Sequence, residues 1–144
     1  MSELRVSKDC MTEIWVTVKQ NPDYEVSNTG KVRSIDRVKP MLSRWGMMTV
    51  RPYKGRELKP NKVGCGYLAV TFKMHGKKYY IHRLVAEHFI DGDTSLEVNH
   101  KDGNKQNNCV DNLEWATRQQ NSWHLTHILG CRKGQFMAGG GRYA

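Results

Sequence analysis

The chain has 144 residues with 38% apolar and 26% charged side chains, which suits one folded domain with a modest core. Its formal net charge of +9 favours a polyanionic partner, nucleic acid or an acidic membrane surface. No apolar run approaches the ~18 residues of a membrane span, the N-terminus MSELRVSKDCMTE is too polar for a signal peptide, and Cys10, Cys65, Cys109 and Cys131 form no CxxC pair. A membrane protein, a secreted mini-protein and a multidomain machine are thereby excluded. The expectation is a cytoplasmic chain with reduced thiols and no structural zinc.

Residues 1–13 are polar and read as a loose arm. Ile14 to Val18 is a β-branched and aromatic run, hence a strand. Residues 24–27 and 31–35 alternate on either side of Asn28-Thr29-Gly30, a hairpin signal. Residues 36–56 are basic and read as irregular, with Pro40 and Pro52 breaking any element. Strands are expected over 66–74 and 77–81, joined at His75-Gly76. From His82 the apolar period becomes helical through Leu84, Val85, His88 and Phe89, predicting a helix over 82–90. Short strands are expected over 96–99 and 110–115. Thr117 and Gln120 have capping-box spacing and open a helix to about Leu129, with Gly130 as its stop. Residues 138–144 form a Gly-rich stretch with no expected structure.

The expected fold is therefore α+β: a small N-terminal antiparallel sheet followed by a strand–loop–strand–helix unit. The boundaries read as an arm over 1–13, a β-rich module over 14–80, a second unit over 81–130 and a tail over 131–144.

Two stretches carry a family resemblance. Residues 98–121, VNHKDGNKQNNCVDNLEWATRQQN, resemble the motif of the HNH endonuclease family in its phage-type, homing-endonuclease-like branch. Residues 81–89, IHRLVAEHF, resemble the helix that precedes that motif. Further upstream, Trp15 and the run YEVSNTGKVRS (24–34) look like the NUMOD4-like DNA-binding module that often accompanies these nucleases. The likeness spans about residues 13–130.

The resemblance implies a ββα-metal (His-Me finger) nuclease: a DNA endonuclease that hydrolyses phosphodiester bonds with one divalent cation, Mg²⁺, Mn²⁺ or another, at the scissile phosphate. It implies that His100 is the general base, a role suited to neutral imidazole. Asn112 would bond the loop backbone and hold His100. Asn121 would offer its side-chain oxygen to the cation, as would Asn99, where relatives often carry Asp. An amide can ligate a hard ion but brings no charge, so the site would lean on DNA phosphates. His82 stands where the family pattern also has His and would support the site or contact a phosphate. His124 shares a helical face with Asn121 and could reach the phosphate or the metal. His75, His88 and His127 read as packing or surface residues, and Trp115 and Trp123 as core.

Lys31, Arg33, Arg37, Lys39, Arg44, Arg51, Lys54, Arg56, Lys59 and Lys62 crowd one segment whose only acids are Asp36 and Glu57. Such a stretch suits tracking the phosphates of double-stranded DNA. The rival of another class is a non-cleaving DNA-binding regulator on the same scaffold, and Asn99 is the feature that favours it. An RNA-binding protein would explain the charge but not the motif. Both monomer and homodimer remain open.

Overall fold

The structure, a computed structural model, describes residues 12–73 and 76–130. Residues 1–11 of the expected arm, His75 of the expected turn and the 131–144 tail lie outside the described residues. The rest is α+β, with antiparallel strands throughout. Strands β1 (Trp15–Thr17), β2 (Tyr24–Ser27) and β3 (Val32–Ser34) form one sheet in that order. Strands β4 (Arg37–Leu42) and β5 (Met48–Tyr53) form a separate ribbon. Strands β6 (Asn61–Val63), β7 (Tyr67–Thr71) and β8 (Lys78–Tyr80) make a third sheet, and helix α1 (Ile81–Phe89) follows directly. Strand β9 (Glu97–His100) pairs with β10 (Leu113–Ala116), and helix α2 (Arg118–His127) closes the described chain.

A shared apolar core explains why α1 sits where it does. Its residues Ile81, Leu84, Val85 and Ala86 recur on one helical stripe and are buried with Val26 and Val32 of the first sheet, Val70 and Phe72 beside β7, and Val98, Val110 and Leu113. Phe72 lies stacked between Tyr24 and Tyr79, with centroids 4.2 and 4.5 Å away. Side chains from the N-terminal sheet and from the strand–loop–strand unit thus contribute to one core. Helix α2 buries none of its residues, so its position depends on its cap and on contacts at one face. The capping box is formed: Thr117 Oγ1 accepts from Gln120 N and Gln120 Oε1 accepts from Thr117 N, satisfying two otherwise orphaned donors.

Four expectations need correction. The 36–56 segment is not irregular; it contains the β4–β5 ribbon with both prolines inside. The register pairs Val38 with Pro52 and Pro40 with Val50. These pairs are two steps apart, so both prolines fall in the same alternate class, where backbone N–H groups point away from the partner strand. A two-stranded ribbon leaves that side open, and proline costs it no ladder bond. Residues 110–112, expected to begin a strand, form a 3-10 turn before β10. Trp123 is 54% exposed and stacks on His127 at 4.7 Å rather than entering the core. Trp115 does pack against the core, and its Nε1 donates to Ile90 O at 3.1 Å. Cys65 is a free thiol, whereas Cys109 is disulfide-bonded, so not every thiol is reduced. Missing CxxC spacing argues against a metal knuckle but does not exclude a disulfide.

Candidate active site

The register of β9 and β10 places the site. Leu113 pairs with His100 and Glu114 with Asn99; because side chains alternate across a strand, His100 and Asn99 leave opposite faces of β9. Both are buried. The loop between the strands returns over His100 because Asn112 ties it down. Asn112 Oδ1 accepts from Asp102 N at 3.0 Å, while its Nδ2 donates to Asp102 Oδ1 at 2.8 Å and to Asn107 O at 2.9 Å. Asp102 also accepts from Asn104 N and Asn107 Nδ2. Burial would raise the Asp102 pKa, but the bonds from Asn107, Asn104 and Asn112 prevail and hold it below the usual carboxylate value. Gly103 sits at φ +74°, a backbone conformation that favours glycine, and a Cβ there would crowd the tip of the Leu129 side chain, just beyond α2.

His100 is held from one side only. Its Nε2 lies 3.0 Å from Asn108 Oδ1, an acceptor, so Nε2 carries the proton and Nδ1 the lone pair. Burial, helped by Lys105, lowers its pKa below the ordinary imidazole value, outweighing the opposing pull of Asn108 and Asp102. His100 is therefore neutral near pH 7. His82, in the first turn of α1, lies 5.2 Å from His100 and 4.8 Å from Tyr67, ring centroid to centroid. Burial first, then His100 and Arg83, push its pKa down to about 3. A ring that stays neutral and packs this way walls the imidazole of His100.

A cleft of about 600 Å³ opens beside these residues, lined among others by His100, Asn99, Glu97, Asn121, His124 and Arg118. The structure thus brings His100, Asn99, Asn121 and His124 to one cavity. Asn112 stands behind it. The two amides expected to hold a metal are restrained in the same way: Asn99 Nδ2 donates to Glu114 Oε1 at 2.8 Å, and Asn121 Nδ2 to Glu97 Oε2 at 3.1 Å. No three His, Cys, Asp or Glu side chains converge on one point among the described residues. A hard cation such as Mg²⁺ or Mn²⁺ still fits the donor set, since two amide oxygens can supply neutral hard ligands and leave positions for phosphate and water. Asn108, Glu97 and Glu114 are the site residues that sequence reasoning missed. Asn108 lies within the motif, but only the fold shows which asparagine meets His100.

The basic segment is less uniformly available than its sequence implies. Acids from outside the segment reach it: Lys31 Nζ lies 3.4 Å from Glu13, Arg33 Nε 2.7 Å from Glu25, and Arg37 and Lys39 3.2 and 3.4 Å from Asp23. Arg33 also lies over Trp15, 4.1 Å from the ring centroid. Arg44, Arg51, Lys54, Arg56, Lys59 and Lys62 are exposed and, among the described residues, make no ion pair.

Comparison with known proteins bears on the family and the fold. Residues 13–73 match the family described as NUMOD4 motif, and residues 79–123 match HNH endonuclease. DNA endonuclease I-HmuI of Bacillus phage SP01 is 37% identical over 102 residues, covering 68% of this chain and 48% of that protein. H-N-H endonuclease F-TflII of Escherichia phage T5 is 32% identical over 130 residues, covering 84% of this chain and 58% of the relative. The solved structure of I-HmuI, described as DNA binding and cleavage by an HNH homing endonuclease, superposes with a TM-score of 0.61 at 32% identity. That match covers 88% of this chain and 66% of the other. The chain thus spans about half the length of these two curated relatives.

Proposed function

Because the chain belongs to the HNH endonuclease family, we propose that it is a DNA endonuclease that hydrolyses phosphodiester bonds with the help of one divalent cation. The observation that carries this reading is the setting of His100 on the cleft: Nε2 meets Asn108 Oδ1 at 3.0 Å, and burial lowers the pKa, which together favour a neutral imidazole with its Nδ1 lone pair left to act. A water molecule gives its proton to Nδ1 as its oxygen attacks phosphorus and the P–O bond to the leaving oxygen breaks. Asn112 keeps the loop, and with it His100, in register. His82 packs against the base without taking part in proton transfer. Asn99 and Asn121 would hold the cation through their side-chain oxygens, with His124 within the same cleft for the cation or the phosphate. When bound, the cation supplies charge stabilisation to the phosphate oxygens in the transition state.

Arg118 in the cleft, together with the exposed cations of the 31–62 segment, supports a duplex DNA partner. The phage origin of I-HmuI and F-TflII supports a phage-infected host cell as the setting. The deciding experiment is incubation with supercoiled plasmid and Mg²⁺ or Mn²⁺, with and without chelator. Nicked or linear product only in the metal lanes is expected. Retarded but uncut plasmid in every lane would favour the non-cleaving regulator, the reading that the uncharged Asn99 keeps in play.

A further inference from the structure

Neutral amides at both ligand positions leave a divalent cation without a formal counter-charge from the groups that touch it. The two amides nevertheless share an arrangement that their sequence positions do not announce. Asn99 lies on β9 and Asn121 on α2, yet each gives an N–H of its Nδ2 to a carboxylate: Asn99 to Glu114 directly across the β9–β10 ladder, Asn121 to Glu97 two residues before Asn99 on the same strand face. In a planar amide, a carboxylate that captures Nδ2 fixes the plane and turns Oδ1 to the opposite side. It also enriches that oxygen electronically, because a charged acceptor polarises the amide more strongly than a neutral one. Replacing a group that orients a ligand from behind typically costs roughly 10–100-fold in metal affinity.

We propose that Glu114 and Glu97 are positioning residues for the cation, supplying through Asn99 and Asn121 the negative charge that the ligands themselves lack. This rests on the reading of Asn99 and Asn121 as cation ligands and deepens it. Glu114 is the more consequential of the two, being half-buried and opposite Asn99, whereas Glu97 is exposed at the cleft edge. The arrangement also changes what is expected of Asn99→Asp alone. A carboxylate there would lie in hydrogen-bond range of the Glu114 carboxylate, and two such like charges resist joint ionisation. The charge must be moved across the ladder rather than added: Asn99→Asp with Glu114→Gln together.

The test is titration of Mn²⁺ followed by electron paramagnetic resonance, on the whole chain, alone and with a duplex whose backbone is made uncleavable. Glu114→Gln keeps the shape and an acceptor oxygen but removes the charge, and is expected to weaken Mn²⁺ binding roughly 10-fold or more. Glu97→Gln is expected to weaken it less. The Asn99→Asp, Glu114→Gln pair is expected to recover wild-type affinity, while thermal melting without metal stays within a few degrees for all three. Unchanged Mn²⁺ affinity in Glu114→Gln, or a double variant that binds no better than Glu114→Gln, overturns the proposal while leaving the cation site standing. Should Glu114→Gln melt early, Glu114→Asp, which keeps the charge, must retain Mn²⁺ affinity; a weakened affinity there equally overturns the role. A wild-type chain that takes up no Mn²⁺ even with the uncleavable duplex overturns the cation site itself, and the proposal with it.

Discussion

Asn108 meets His100 from one side and Gly30 from the other. Its Oδ1 lies 3.0 Å from His100 Nε2, and a Cβ built on Gly30, at φ +89°, would fall 2.9 Å from Asn108 Cβ. Val110 N also donates to Asn28 O at 2.8 Å. The Asn28-Thr29-Gly30 turn of the N-terminal sheet is thus the floor on which the partner of His100 rests, and only glycine fits at that contact. The N-terminal sheet therefore does more than present basic side chains: it fixes the residue that sets the tautomer of the base.

The pH profile of cleavage should report this arrangement. A base works in its neutral form, so the rate rises with pH through the His100 pKa, which burial places below 6.5; the half-maximal point of the acid limb is expected below that pH. Asn108→Asp puts a carboxylate against Nε2, stabilises the imidazolium and should move the acid limb upward. His100→Ala should remove roughly 10²–10⁴ of the rate with DNA affinity retained. An acid limb that ignores Asn108→Asp would place Asn108 outside the titrating unit.

His82 should make the fold acid-sensitive. Its native pKa of about 3 lies below the unfolded value of 6.5, so between those limits the unfolded chain binds more protons and stability falls as pH is lowered. The slope from one such group is about 1.4 kcal/mol per pH unit. Melting temperature should therefore drop between pH 6.5 and 4.5, and less steeply in His82→Phe, which keeps the packing against Tyr67 and removes the titration. Parallel curves for the two proteins would show that other groups carry the acid response.

The parts that could be read from the chain were those set by local rules. Thr117 and Gln120 announce their capping box by spacing, and the apolar stripe of α1 is visible from Leu84, Val85 and Phe89. The motif order places His100, Asn99 and Asn121 together, and the cleft brings them there. What could not be read depends on register or on distant partners. The ribbon was hidden because Pro40 and Pro52 are tolerated only where both face an open edge, a property of the pairing. Glu114 becomes the partner of Asn99 through the β9–β10 ladder, and Asp23 neutralises Arg37 and Lys39 from outside the segment in which they lie.

Those ion pairs sort the basic residues. Arg44, Arg51 and Lys54, exposed on or beside the ribbon, should each contribute to the salt dependence of DNA binding. Their joint replacement by Ala should flatten the slope by about one unit for each phosphate that is no longer neutralised. Lys31→Ala with Arg33→Ala should change it less, because Glu13 and Glu25 already hold those charges. Equal effects from the two sets would mean that the surface pairs open freely to DNA, which their exposure makes inexpensive.

Asn112 provides the sharpest separation between holding the site and forming it. Its side chain makes three bonds, one accepted from Asp102 N and two donated, to Asp102 Oδ1 and Asn107 O. Asn112→Asp preserves the volume and the accepted bond but replaces the donor with an oxygen that faces two acceptors. Asp102 is held ionised by its own donors, so the new carboxylate meets a charge as well as a lone pair. The cost is expected at about 1–3 kcal/mol for the unsatisfied buried group, visible as a melting temperature lowered by several degrees. Because the exposed cations of the ribbon lie outside the 101–107 loop and keep their charge, DNA affinity should stay close to wild type while cleavage falls by orders of magnitude. Asn112→Ala loses the accepted bond as well but introduces no repulsion, and should melt higher than Asn112→Asp. If the two variants melt alike and both still cut at the native rate, Asn112 neither restrains the loop nor orients His100, and the base must be held by Asn108 alone.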